Sequence, residues 1–269
     1  MFDIYISKMK KIILILVLLF AVNLIHAEEE KRSPVGIDEK LGQTVPGDIT
    51  LFDETGKPVK LSDVTNGKPV ILTLVYYRCP GICSPLLTEL SHIVDKLDLQ
   101  AGKDYNIVTV SFNTSEDYIM AAEKKKNYFG LLKVKKLSDN DWRFLTADSI
   151  NVAKITDAVG FRYIKEGNDF VHSGALTMLS PDLKITRYLY GTEYLPFDVK
   201  MGLMEASEGK IGSPISKIAK LCYSYDAEGR KYVLNVTRIA GSGIIFLVIV
   251  FAVILVATRK KKKELTIND

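Results

Sequence analysis

Residues Val70-Ile-Leu-Thr-Leu-Val-Tyr-Tyr-Arg-Cys-Pro-Gly-Ile-Cys-Ser-Pro-Leu-Leu87 join a nearly unbroken apolar run, Val70 to Tyr77, to two cysteines and a proline-flanked helix start. Such a run suits a central strand buried on both faces. Pro80 and Gly81 shape a turn, and Pro85 fits the first helical turn, where a missing N–H costs nothing. Cys83 is thereby placed at a helix N-terminus, whose positive dipole end favours thiolate over thiol. Leu86, Leu87, Leu90, Ile93, Val94 and Leu97 then recur at helical spacing, and Ile107 to Phe112 is β-branched and strand-like. Strand, helix, strand implies a parallel crossover.

The pattern extends in both directions. Upstream, Asp48 to Ser62 alternates apolar and polar residues around a Thr-Gly-Lys-Pro turn, as a short hairpin does. Downstream, the spacing predicts a helix from Glu116 to Phe129, a strand at Trp142 to Leu145 and a helix from Asp148 to Val159. Phe161 to Ile164, Ala175 to Ser180 and Ile185 to Tyr190 read as strands, the last two joined by the tight turn Pro181-Asp-Leu-Lys184, before a helix over Phe197 to Ser207. The class is α/β: a thioredoxin-like order with a central mixed sheet flanked by helices and an N-terminal hairpin extension. The predicted domain covers 44–209, after a polar leader at 28–43. Residues 210–238, with Cys222, Tyr223 and Tyr225, connect it onward in no assignable shape.

The 269 residues, 47% hydrophobic and 25% charged, allow one domain of ordinary size plus tethers. Residues 12–25 form an apolar run preceded by Lys8, Lys10 and Lys11 and followed by Ala27, a signal-peptide layout for 1–27 with cleavage after Ala27, or an uncleaved anchor. Residues 239–258 are uncharged between Arg238 and Arg259 and would cover ~30 Å as a helix, the length of a membrane span. By the positive-inside rule the basic tail 259–269 stays in the cytoplasm and the domain lies on the extracytoplasmic, periplasmic side of the cell membrane. Residues 1–27 carry +2 and 259–269 carry +3, so the total of +4 leaves −1 for the remainder. With no basic excess on the domain, nucleic-acid binding is set aside. Lys124 to Lys126, with Lys133, Lys135 and Lys136, read as a solvated face.

Three cysteines occur in all. A structural disulfide between Cys79 and Cys83 would close a tiny loop and add little to a domain that has its own core. The usual redox arrangement is Cys-x-x-Cys, whereas three residues intervene here, enough slack for two sulfurs to converge on one ion. Two thiolates are soft donors, which select copper(I) or zinc over magnesium or calcium. Zinc wants at least three protein ligands. Copper(I) tolerates low coordination, and one added imidazole gives a set that also holds copper(II). Of the three histidines, His26 ends the signal segment, and His92 lies ~13 Å along the helix from Cys83. His172 sits in Gly-Asn-Asp-Phe-Val-His-Ser-Gly, a loop entering the strand at Ala175, which in a thioredoxin-like topology approaches the cysteine turn. A lone histidine in such a loop also reads as an ordinary polar residue.

Pro46-Gly-Asp-Ile-Thr-Leu51, the turn Tyr77 to Pro85, Val171-His-Ser173 and Ser180-Pro-Asp-Leu-Lys184 together resemble the Sco/SenC family over 44–208. The resemblance implies a thioredoxin-fold, membrane-anchored copper protein that helps build the dinuclear copper centre of cytochrome c oxidase. It implies that Cys79 and Cys83 match the family's cysteine ligands and His172 its histidine ligand. Partners would be the oxidase's copper-bearing subunit and other copper chaperones or thiol reductants. Two departures stand out. Asn113 occupies a position where the family often has an aspartate, with Glu116 and Asp117 following, and the predicted anchor is at the carboxyl end, near an unexplained Cys222. Met178, Met201 and Met204 read as core packing, and Tyr76 and Tyr77 as a cover over the site.

Two functions fit. One is a metallochaperone holding copper through Cys79, Cys83 and His172. The other is a thiol-disulfide oxidoreductase with Cys79 as nucleophile and Cys83 resolving. Against the second stand the three-residue spacing and the lack of a proline beside His172, where thioredoxins carry a cis-proline.

Overall fold

The computed structural model describes residues 34–211, the strands Tyr223–Asp226 and Lys231–Leu234, and residue 251. The expected signal segment, Cys222 and, residue 251 apart, the expected membrane span lie outside those residues. Among the described residues no helix is long and apolar enough to cross a membrane.

The chain opens with β1 (Gly36–Ile37), the hairpin strands β2 (Thr50–Phe52) and β3 (Pro58–Lys60), and a short helix α1 (Leu61–Thr65). The crossover follows as β4 (Val70–Val75), α2 (Cys83–Lys96) and β5 (Asn106–Ser111). Next come α3 (Tyr118–Phe129), β6 (Trp142–Leu145), α4 (Ser149–Ala158), β7 (Phe161–Glu166) and β8 (Asp169–His172). A hairpin of β9 (Ala175–Leu179) and β10 (Ile185–Tyr190) leads into α5 (Pro196–Ser207). In the stretch read as shapeless, β11 (Tyr223–Asp226) pairs antiparallel with β12 (Lys231–Leu234).

Five strands form the main sheet in the order β10-β9-β4-β5-β6, with β4, β5 and β6 parallel and β9 antiparallel to β4. This is the expected thioredoxin-like α/β arrangement. Every residue of β4, β5 and β9 is buried, which is why they read as runs rather than alternations. The polar groups they bury are satisfied: Thr73 and Trp142 both meet Thr109 Oγ1 at 2.9 Å. Helix α2 buries Leu86, Leu87, Leu90, Ile93 and Val94, the predicted stripe. Asp117 and Asp148 start α3 and α4 by accepting the amides of Met120 and Asn151.

A second sheet, β1-β7-β8, departs from the sequence reading. Residues 36 and 37, placed in the polar leader, pair with β7, and Asp38 N–H bonds Gly160 O at 2.8 Å. Gly160 has φ +67°, and a Cβ there would lie 1.9 Å from Asp38 O, so the approach needs glycine. His172 is not in a loop. It ends β8, opposite Tyr163 in an antiparallel hairpin turned by Gly167 and Asn168, with φ +62° at Gly167.

Smaller corrections have plain causes. Leu61 and Ser62 begin α1 instead of ending the hairpin. Lys125 is buried and pairs with Glu54 at 3.1 Å, so the basic stretch is not wholly solvated. Met178 packs in the core as expected, but Met204 is 44% exposed.

Candidate metal centre

The sheet ladder between β4 and β5 ends at the bond from Phe112 N–H to Val75 O. Beyond it the chain turns, with Cys79 N–H donating to Tyr76 O at 3.2 Å, and Cys83 becomes the first residue of α2. The small sheet brings His172 to the same place from a distant part of the sequence. Gly174 helps it do so, since a Cβ there would crowd Gly191 O at 3.1 Å and the Leu86 and Ile82 side chains at 3.3 and 3.4 Å.

His172 Nε2 lies 3.2 Å from Cys83 Sγ and 4.0 Å from Cys79 Sγ, and the three donor atoms all fall within 4.8 Å of one another. All three side chains are buried, and neither cysteine is in a disulfide. His172 Nδ1 sits 3.0 Å from Ser173 O. A carbonyl only accepts, so Nδ1 carries a proton and Nε2 is the nitrogen that faces the sulfurs, the one a metal would take. The rings of Phe112, Tyr76 and Phe161 stand 5.1, 5.6 and 5.9 Å from the imidazole and hold its plane. Tyr76 thus covers the site as expected, while Tyr77 does not. Its hydroxyl donates to Leu145 O at 2.8 Å on the other side of the strand, as alternation of successive residues requires.

The two sulfurs differ electrostatically. The Cys83 thiol, donating to Cys79 and joined by His172, holds the Cys79 thiol down at about 3 against the opposing cost of burial. Burial pushes Cys83 up, reinforced by its bond to Cys79 and that residue's charge. One proton is in effect shared by the pair, with Cys79 the thiolate.

His92 is half-buried beside Glu89 on α2 and takes no part. A hollow of about 590 Å³ bordered by Asp53, Glu54, Lys125 and Arg143 lies elsewhere, its charges paired with one another. Sequence reasoning noted Glu116 after Asn113 but gave it no role. Its buried carboxylate accepts Tyr77 N–H at 2.7 Å, Arg78 N–H at 2.8 Å and Ser111 Oγ–H at 2.6 Å. The Asn113 side chain folds back to accept Ser115 N–H at 3.1 Å.

The SCO1/SenC family model matches residues 37–196. A solved protein of Aquifex aeolicus VF5, provisionally named an electron transfer protein, is 32% identical with a TM-score of 0.57, over 64% of this chain and 96% of its own. A second from that organism, provisionally named an electron transport protein, is 29% identical with a TM-score of 0.54, over 63% and 99%. ScoI of Arabidopsis thaliana, solved with copper bound, is 20% identical with a TM-score of 0.49, over 61% and 99%. No curated protein matches the chain. The family match takes in more than half of the sequence, including the whole cysteine turn and His172, and this chain therefore belongs to the SCO1/SenC family.

Proposed function

We propose that the chain is a copper carrier that delivers its ion to the copper-bearing subunit of cytochrome c oxidase. One observation carries the copper reading: two sulfurs and an imidazole nitrogen, buried and within 4.8 Å of one another. Two soft thiolates and one nitrogen suit copper in either oxidation state and leave a zinc ion short of its usual four ligands. Three donors on copper(I) also leave room for a ligand of the client to add before one from this chain departs, so transfer needs no bare ion. Binding releases the proton shared by Cys79 and Cys83.

The full chain, reduced and titrated against a copper(I) chelator, is expected to bind one copper(I). After oxidation to a Cys79–Cys83 disulfide it should bind almost none, because the disulfide consumes both soft donors. If the reduced chain retains no more copper than the oxidised one, a second reading takes its place. The low-lying Cys79 thiolate favours that reading. Cys79 would attack a client disulfide, and Cys83 would then displace the client thiolate. The client leaves as a dithiol and this chain as a disulfide, to be reset by an external thiol reductant.

The proposed topology puts residues 34–211 outside the cell membrane and the basic tail in the cytoplasm, supported by the uncharged stretch 239–258 and the five basic residues 259–263 that follow it. A reporter enzyme fused after Asp269 should be active only as a cytoplasmic fusion, and one fused after Gly209 only as an exported one. The reverse pattern at either point would overturn it.

A further inference from the structure

Glu116 is 5% exposed, and all three groups that meet its carboxylate are neutral donors. A buried carboxylate has to be hydrogen-bonded, but that requirement does not say why an acid stands here. Its location offers a reason. The amides of Tyr77 and Arg78 come just after the last ladder bond of β4, on the two central residues of the turn closed by Cys79 N–H on Tyr76 O. Without an acceptor these N–H groups would leave the turn unfixed. Each oxygen of Glu116 takes one of them, and Ser111 Oγ locks the carboxyl rotation. The clamp ends one residue before Cys79.

We propose that Glu116 is a positioning residue of the metal centre: by clamping the Tyr77 and Arg78 amides it fixes where the Cys79 sulfur stands relative to Cys83 and His172. This rests on the copper reading above for its affinity consequence. It also places a negative charge behind the cysteine turn, which opposes charge on the sulfurs and so favours their oxidised, neutral form.

The test is Glu116→Gln in the full chain, which offers one acceptor and turns an NH₂ toward the other amide. Copper(I) affinity is expected to fall about 10- to 100-fold, as for other groups that orient metal ligands. The copper(II)–thiolate absorption should shift, and equilibrium with a glutathione redox buffer should move toward the dithiol. Glu116→Asp, which keeps both acceptors, should recover part of each change. Thermal unfolding reports whether each variant folds. A folded Glu116→Gln chain with wild-type affinity, spectrum and glutathione equilibrium overturns the proposal. If that variant does not fold, Ser111→Ala decides: losing the hydroxyl that holds the carboxyl should move the same quantities by about threefold, and no change overturns the proposal. A wild-type chain that fails to bind copper would sink the copper reading instead, and the glutathione equilibrium, which needs no metal, would still decide on Glu116.

Discussion

Replacing Cys83 by serine is expected to lower copper(I) affinity by about 100-fold or more. Four-ligand zinc sites of thiolate and imidazole are worth about 10–16 kcal/mol, or roughly 2.5–4 kcal/mol per ligand, which corresponds to about 70- to 900-fold in affinity. The substitution exchanges a soft thiolate for a hydroxyl that stays protonated and is a poor ligand for copper(I). Serine is also well tolerated at a helix start, where Cys83 lies, so the fold should survive and the loss will be chemical. Cys79→Ser should be nearly as damaging, and the double variant little worse than either, because one sulfur and an imidazole no longer chelate. The measurement is competition with a copper(I) chelator. Either single variant binding like the wild type would remove that sulfur from the site.

His172→Ala is expected to abolish the charge-transfer absorption of the copper(II) form, because copper(II) requires the nitrogen donor more than copper(I) does. Cys79 and Cys83 should still oxidise to a disulfide, since exchange between sulfurs uses no imidazole. The imidazole also fills space against Tyr76, Phe112 and Phe161, so the variant should lose about 2–3 kcal/mol of stability and melt earlier while remaining folded. An intact copper(II) spectrum in this variant would show that His172 is not a ligand.

Much of this centre is legible in the sequence. The cysteine turn announces itself because an apolar run, a Pro-Gly pair and a proline in the first helical turn all agree on where strand ends and helix begins. Trp142–Leu145 and Ile185–Tyr190 fall where the sequence predicts them, since each is a short apolar strand between clear breaks. The strand Asp169–His172 is harder. Four residues opening on an acid carry little periodicity, although Gly167-Asn168 is a two-residue hairpin signal. Residues 36 and 37 are a strand only because β7 offers them an edge, a tertiary effect that no local propensity encodes. The role of Glu116 is hidden for a related reason. Its main partners are backbone amides, which look the same whatever side chains Tyr77 and Arg78 carry.

The strand that bears His172 makes metal binding a question of parity. Along β8, the rings of Phe170 and His172 both pack on the Tyr76 ring, and Val171 between them takes the opposite face. If the pairing with β7 slipped by one residue, the imidazole would turn to the opposite face. If it slipped by two, the imidazole would keep its face but move ~7 Å along the strand, still out of reach of the sulfurs. No intermediate register offers a weakened site. Gain or loss of a single residue between Tyr163 and His172 therefore acts as a switch rather than a dial, and the chain's capacity for copper reads out the register of this hairpin.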